Sequence, residues 1–259
     1  MRLLVKIGGT LLDAAESRRR LARELAELAR DGVRLTVVHG GGRQMTRFLA
    51  ERGVESRFVG GLRVTSPEIL DAVLKVLAGS VNRQLVAALI EAGAQAVGLT
   101  GVDACLTEAE PLRPELGAVG RPVRVNPELL ELLTAHGYLP VVACVAGDRQ
   151  GRIYNVNADQ MAAALGAGFR ADSLVLLTDV AGVLGPQGAP LAALTAAEAA
   201  ALIRQGVATG GMQAKLEAAS EALRRGVGQV LIAPGAEPGV LARLAAGERI
   251  GTQLVRGET

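Results

Sequence analysis

Arg2-Leu3-Leu4-Val5-Lys6-Ile7-Gly8-Gly9-Thr10 and Arg34-Leu35-Thr36-Val37-Val38-His39-Gly40-Gly41-Gly42 share one plan. Each is a short apolar run that stops at consecutive glycines, the pattern of a buried strand followed by a turn the backbone must negotiate closely. Between them Glu16–Arg30 predicts a helix with Leu21, Leu25 and Leu28 on one face and Gly32 as its stop. Further along come Gly61-Leu62-Arg63-Val64-Thr65, Asn155-Val156-Asn157-Ala158-Asp159 and Gly210-Gly211-Met212-Gln213-Ala214-Lys215. A single such turn says little. Several along one chain, each beside a lysine, arginine or aspartate, suggest backbone N–H groups aimed at anions with cations alongside, which is equipment for moving a phosphoryl group.

Outward from these turns, strands and helices alternate. Gln44–Arg52 is expected to be a helix closed by Gly53, and Ser66-Pro67 to start a long helix over Leu70–Ala92 that Gly79 could break. Ala94–Leu99 is a strand. Gly101–Val125, with Pro111, Pro114 and Pro122, is irregular and could be a hairpin or a flap over a site. Asn126-Pro127-Glu128 opens a helix ending at His136-Gly137, and Leu139–Val145 is a strand with Pro140 at its beginning. Asp159–Ala167 is helical, Ser173–Leu177 a strand, Thr195-Ala196-Ala197-Glu198 a capping box. Met212–Arg225 is a helix, Gln229–Ala233 a strand and Glu237–Ala246 a final helix. The alternation predicts an α/β fold with a mostly parallel sheet covered on both faces. The expected lobe boundary is Gly166–Asp172, dividing residues 1–172 from 173–259. Ligands in such sheets sit at the carboxyl ends of strands, where Lys6, the 39–42 glycines and Asp179 fall.

Composition narrows the function classes. The 259 residues are 49% apolar and 21% charged, a globular balance able to bury a large core. A net charge of +2, 2% aromatic residues and no Trp argue against nucleic-acid binding, which calls for a basic field or a stacking platform. Cys105 and Cys144, with His39 and His136, make no metal-ligand pattern and are expected to be reduced, mostly buried thiols of a cytosolic protein. Met1–Val5 is too short for a signal segment, and no uninterrupted apolar run approaches the roughly 18 residues of a membrane span.

No Walker-type phosphate loop occurs. Gly166-Ala167-Gly168-Phe169-Arg170-Ala171 matches the dinucleotide fingerprint by letter but precedes a strand instead of following one. Lys6, just before two glycines, is either a solvated strand-end lysine or a ligand to an approaching anion. His39 is expected to be a satisfied structural group. Arg63 is either a surface arginine or a fork for a carboxylate. Asn155, Asn157 and Asp159 exceed what capping one helix requires. Thr178-Asp179-Val180-Ala181-Gly182-Val183 ends a strand. Lys215 is expected in the first turn of a helix, where its charge opposes the dipole unless an anion shares the site.

Taken together, in this order and over Leu4–Leu254, these motifs resemble the amino-acid kinase family, and within it the branch that phosphorylates N-acetyl-L-glutamate on the acetylated route to arginine. The resemblance implies a three-layer α/β/α sandwich of two lobes. Residues 1–172 would hold the amino-acid substrate and a homodimer contact, with the 68–92 helix as a candidate seam; residues 173–259 would hold ATP with Mg2+. Gly41, Gly42, Arg63 and Asn155 would bind the amino acid, Arg63 at its α-carboxylate. Lys6 and Lys215 would flank the phosphoryl group in flight, and Asp159 would hold both lysines. Gly8, Gly9, Asp179, Gly182, Leu184, Gly210 and Met212 would line the nucleotide site. Gly79-Ser80-Val81-Asn82 departs from the family in having serine where many members carry lysine. Arginine-inhibited members have an extra N-terminal helix, so an arginine-insensitive homodimer is the expectation. Sister kinases of succinylglutamate, aminoadipate, free glutamate, aspartate, carbamate or a nucleoside monophosphate are rivals on the same fold. A non-catalytic regulatory protein is a rival of another class.

Overall fold

A computed structural model describes residues 1–256. The first half runs β1 (Arg2–Ile7), α1 (Ala15–Arg30), β2 (Arg34–His39), α2 (Gly42–Ala50) and a small hairpin of β3 (Phe58–Val59) and β4 (Leu62–Arg63). One helical rod follows, made of α3 (Pro67–Val73), a π-helical stretch (Leu74–Val81) and α4 (Asn82–Glu91). Then come β5 (Gln95–Thr100), β6 (Thr107–Pro111), β7 (Val119–Val125), α5 (Pro127–Ala135), β8 (Tyr138–Ala143), β9 (Val145–Gly147), β10 (Ile153–Val156) and α6 (Ala158–Gly168). The chain ends with β11 (Ser173–Thr178), β12 (Ala193–Thr195), α7 (Ala196–Arg204), α8 (Gly210–Arg224), β13 (Gln229–Pro234), α9 (Val240–Ala245) and β14 (Thr252–Val255).

Eight strands form one sheet in the order β12-β14-β13-β11-β1-β2-β8-β5. Every neighbour pair is parallel except β13 with β14. The central strands carry near-continuous apolar runs because helices cover both of their faces, and Leu4, Val5, Ile7, Val37, Val38, Leu174 and Leu176 are fully or almost fully buried. Register sets Lys6 level with Val38 on β2 and Leu176 on β11. Local sequence starts the helices as expected: Ser66 caps α3 with Pro67 behind it, Asn126 caps α5, Asn157 caps α6, and Thr195 with Glu198 makes the capping box of α7.

The main sheet is shared by both halves of the chain: β1 pairs with β11, and the Asp172 carboxylate accepts from the Arg2 N–H at 2.7 Å. Several expectations are corrected. The 67–91 rod is not broken at Gly79; it passes through a π-helical stretch containing that glycine. For Gly101–Val125 the hairpin reading holds, as the antiparallel pair β6–β7, which in addition closes a small four-stranded barrel with β9 and β10. The expected 139–145 strand divides at Cys144 into β8, in the main sheet, and β9, in the barrel. The last helix is shorter than expected, Val240–Ala245. Cys105 is exposed rather than buried, while Cys144 is buried. The Pro67–Glu91 rod is long and apolar enough to cross a membrane by length and composition, but half of its most apolar window is buried inside the protein, as in a core helix. The final three residues of the expected 173–259 lobe lie outside the described residues.

Candidate active site

Lys6 is the penultimate residue of β1 and Asp159 lies in the first turn of α6, beneath the Asn157 cap whose Oδ1 accepts from the Asp159 and Gln160 N–H groups at 2.9 and 3.2 Å. The sheet register and this cap bring the two side chains together: Lys6 Nζ is 2.8 Å from Asp159 Oδ1. Lys215 reaches in from α8, with Nζ 3.3 Å from Asp159 Oδ2. It stands in the second turn of α8, which begins at Gly210, rather than in the first. Lys6 and Asp159 are each about 5% exposed.

Burial by itself would raise the Asp159 carboxyl, but Lys6 and Lys215 outweigh it and hold the group below the ordinary carboxylate range. Lys215 is lowered, first by burial and then by the neighbouring Lys6, against the pull of Asp159 and Asp179. Two ammonium groups therefore share one carboxylate in a poorly solvated place. The excess positive charge is unfavourable alone and is relieved by an anion.

Beside this triad lies a cavity of about 230 Å³ lined by Lys6, Gly9, Gly40, Gly41, Gly42, Arg63, Asn155, Asn157 and Asp159, with apolar wall from Met45, Phe58, Val73, Leu77 and Cys144 among others. The two glycine turns touch: a Cβ on Gly9 would come within 2.9 Å of Gly41 Cα and Gly42 N. Gln44 Nε2 donates to the Gly9 carbonyl at 3.0 Å and ties them further. At the other end Arg63, buried at the close of β4, donates to the Ser56 hydroxyl, to Thr46 Oγ1 at 2.8 Å and to the Gly42 carbonyl at 3.2 Å. Its guanidinium lies 4.7 Å from the centre of the Phe58 ring, opposite it in the hairpin. Among the described residues it has no carboxylate partner. Thr65 Oγ1 donates to the Arg63 carbonyl at 2.9 Å and accepts from Asn155 Nδ2 at 3.1 Å, which links the hairpin to the barrel strand β10.

The cavity thus gathers seven of the residues given a catalytic or binding role in the sequence: Lys6, Gly9, Gly41, Gly42, Arg63, Asn155 and Asp159. Lys215 joins through Asp159. Gly8, Asp179, Gly182, Leu184, Gly210 and Met212 are outside the lining. Gly8 packs near the Leu177 carbonyl, Asp179 follows β11, Leu184 is exposed, and Gly210 opens α8 at φ +54°. Ser80 is exposed outside the cavity, its hydroxyl donating to the Lys75 carbonyl at 3.4 Å. Sequence reading missed Gln44, Thr46, Ser56, Phe58 and Leu77. Phe58 had a faint signal, being one of three phenylalanines; the hydroxyls and the amide had none.

His39, at the end of β2, is fully buried, and burial pushes its imidazole down to about 4. Its Nδ1 is 2.9 Å from the Gly40 carbonyl oxygen and its Nε2 3.0 Å from Asn82 Nδ2. Cys144 is pushed up to about 11, chiefly by burial, so it lines the cavity as a neutral thiol.

Residues 1–234 match the model of the amino acid kinase family. The chain is 64% identical over 255 residues to an acetylglutamate kinase of Solibacter usitatus, covering 98% of this chain and 99% of that one. It is 42% identical over 258 residues to an acetylglutamate kinase of Koribacter versatilis, with the same coverage. Among solved structures, a protein of Streptococcus mutans superposes with a TM-score of 0.86 at 28% identity, covering 99% of both chains. An N-acetylglutamate synthase of Neisseria gonorrhoeae, complexed with coenzyme A and N-acetyl-glutamate, gives a TM-score of 0.89 at 26% identity; this chain spans 60% of its length. Sequence match, sheet topology and the anion-shaped site agree, and the chain belongs to the amino acid kinase family.

Proposed function

We propose that this chain transfers the γ-phosphoryl group of ATP to the side-chain carboxylate of N-acetyl-L-glutamate, a step of arginine biosynthesis. The observation that carries the reading is the pairing of a buried lysine, Lys6, and a partly buried one, Lys215, on one carboxylate, with a buried arginine that has no carboxylate partner among the described residues in the wall of the cavity beside them. One end accommodates phosphoryl oxygens and the other an α-carboxylate.

The chemistry calls for no general base. A side-chain carboxylate with a pKa of about 4.3 is already ionised at neutral pH. Its oxygen forms a bond to the γ-phosphorus while the bond from that phosphorus to the β–γ bridging oxygen breaks, and ADP leaves with the electron pair. The barrier is the approach of two anions, and the site lowers it by position and charge. Lys6 neutralises the attacking and transferred oxygens. Lys215 meets charge developing on the leaving side. Asp159, already shared between both ammonium groups, is their organiser. Gly41 and Gly42 offer backbone N–H groups, Arg63 holds the α-carboxylate, and Asn155 orients the amino acid.

ATP belongs on the side of β11 and α8, with Gly8, Gly9, Asp179, Gly182, Leu184, Gly210 and Met212 assigned to its site. Residues 1–172 then form the amino-acid side and 173–259 the nucleotide side. Magnesium enters as part of the ATP complex, held by its phosphates. A homodimer in the cytosol completes the reading. Support for it comes from β5, which ends the main sheet and is only partly covered, and from Ile90 of the adjoining rod, which is exposed.

A coupled ADP-release assay with MgATP and acetylglutamate, succinylglutamate, glutamate, aspartate and aminoadipate tests this, with hydroxylamine trapping any acyl phosphate. A signal on acetylglutamate above the others is expected. Preference for succinylglutamate, larger by one methylene and separable by only about 1–3 kcal/mol, would move the substrate and keep the mechanism. Silence on the whole panel would overturn the reading.

A further inference from the structure

The mechanism above leaves His39 and Asn82 unused, although both are fully buried next to the glycine turn. Their hydrogen bonds have one consistent reading. Asn82 Nδ2 stands 2.9 Å from the Val141 carbonyl and 3.0 Å from His39 Nε2, and Asn82 Oδ1 accepts from Arg83. A flipped amide would turn its oxygen on the Val141 carbonyl and its NH2 on the guanidinium, so Asn82 is a donor to both β8 and His39. His39 Nε2 is therefore the acceptor, the imidazole is neutral, and Nδ1–H donates to the Gly40 carbonyl at 2.9 Å.

That last bond fixes a peptide plane. All peptide bonds described are trans, so a carbonyl and the following N–H point in opposite directions. With the Gly40 oxygen held toward His39, the Gly41 N–H points away from it. Gly41 lines the cavity, and among the described residues its N–H has no protein acceptor. The π-helical stretch explains how one rod serves both sides: Val73 and Leu77 stand in the cavity wall while Asn82, just beyond the wide turns, lies behind the strand ends.

We propose that Asn82 and His39 are positioning residues: Asn82 selects the Nδ1–H tautomer, His39 clamps the Gly40 carbonyl, and the Gly41 N–H is thereby aimed at an anionic oxygen of the reacting centre. The inference rests on the kinase reading. The experiment separates the two, because wild-type turnover tests that reading and the ring tautomer and relative rates of variants test this one.

In the wild-type protein, ¹⁵N spectra of the His39 ring at neutral pH should show hydrogen on Nδ1 and a bare Nε2. The opposite tautomer or an imidazolium overturns the proposal whether or not any variant folds. His39→Asn keeps an N–H donor at the Nδ1 position, whereas His39→Gln leaves the Gly40 carbonyl without one. His39→Asn should stay within about threefold of wild-type kcat, and His39→Gln should lose at least about tenfold in kcat with a smaller change in KM, the scale of a mis-aimed donor. The Gly41 amide resonance should shift on adding acetylglutamate and MgADP in wild type and His39→Asn but not in His39→Gln. Equal kcat in the two variants, or losses that follow their melting temperatures alone, would mean that His39 only fills space.

Discussion

Lys215 is the residue whose charge is most open to pH. Burial and the neighbouring Lys6 lower its pKa, so its ammonium is lost on the alkaline side before the ordinary lysine value of about 10.4. Turnover that depends on that charge falls as pH rises through the lowered pKa. Stability moves the other way in the same window. Between the lowered pKa and the unfolded value the unfolded chain holds more protons, so the fold gains stability with rising pH from this group. An alkaline loss of kcat without a fall in melting temperature is therefore the expected signature. Lys215→Arg should lower kcat, since a guanidinium does not match the ammonium geometry, and should remove the limb because arginine does not titrate there. An unchanged limb in Lys215→Arg would place the titration on another group. By residue pattern Lys215 showed only as a cation near a helix start; the resemblance supplied Asp159 as its partner, and the packing of α6 against α8 brings the two within 3.3 Å.

At the scale of elements, the site is two glycine turns pressed against each other. Gly9 is the tighter of the two positions. A Cβ there would meet the Gly41 and Gly42 backbone at 2.9 Å, whereas a Cβ on Gly41 would meet the far end of the Leu77 side chain at 2.4 Å. A side-chain end can rotate aside; a backbone held by β2 and α2 cannot. Gly9→Ala should therefore cost at least about tenfold in kcat by moving the turns apart. Steady-state kinetics at wild-type level for Gly9→Ala would show that the turns do not depend on that contact. The same scale accounts for the division at Cys144. The chain leaves the main sheet there, because β9 pairs with β10 and β6 instead of continuing beside β2.

For the whole molecule, the controlling fact is a sheet that both halves of the chain share. β1 and β11 pair along Leu3–Ile7, and α6 leads straight from the site into β11. Breaking the halves apart would expose the most buried strands. Heat should therefore unfold the protein in one cooperative transition despite its length. Calorimetry resolving two separate transitions would contradict this and favour independent lobes divided near residue 172.

What the sequence by itself determined is what local chemistry decides. Apolar runs ending at glycines are strands, because buried parallel strands carry no polar face. Ser66, Asn126, Asn157 and Thr195 start helices, because their side chains satisfy free backbone N–H groups. Lys6 and Arg63 stood out as cations next to glycine turns, which suits anions, and Asn155 and Asp159 stood out as more polar groups than one helix cap requires. Tertiary structure alone decided the rest. The two-residue hairpin strands, β9 and β10 of the barrel, and β12 and β14 toward one end of the sheet are too short to carry a period, while β6 ends on Pro111 and β7 is interrupted by Pro122. Their existence depends on partners distant in sequence. The hydrogen-bond partners of Arg63 and the relay from Asn82 through His39 to Gly40 are likewise non-local. A serine or an asparagine has no distinctive pattern of its own, and it acquires a role only when packing the whole chain removes water and leaves one neighbour within reach.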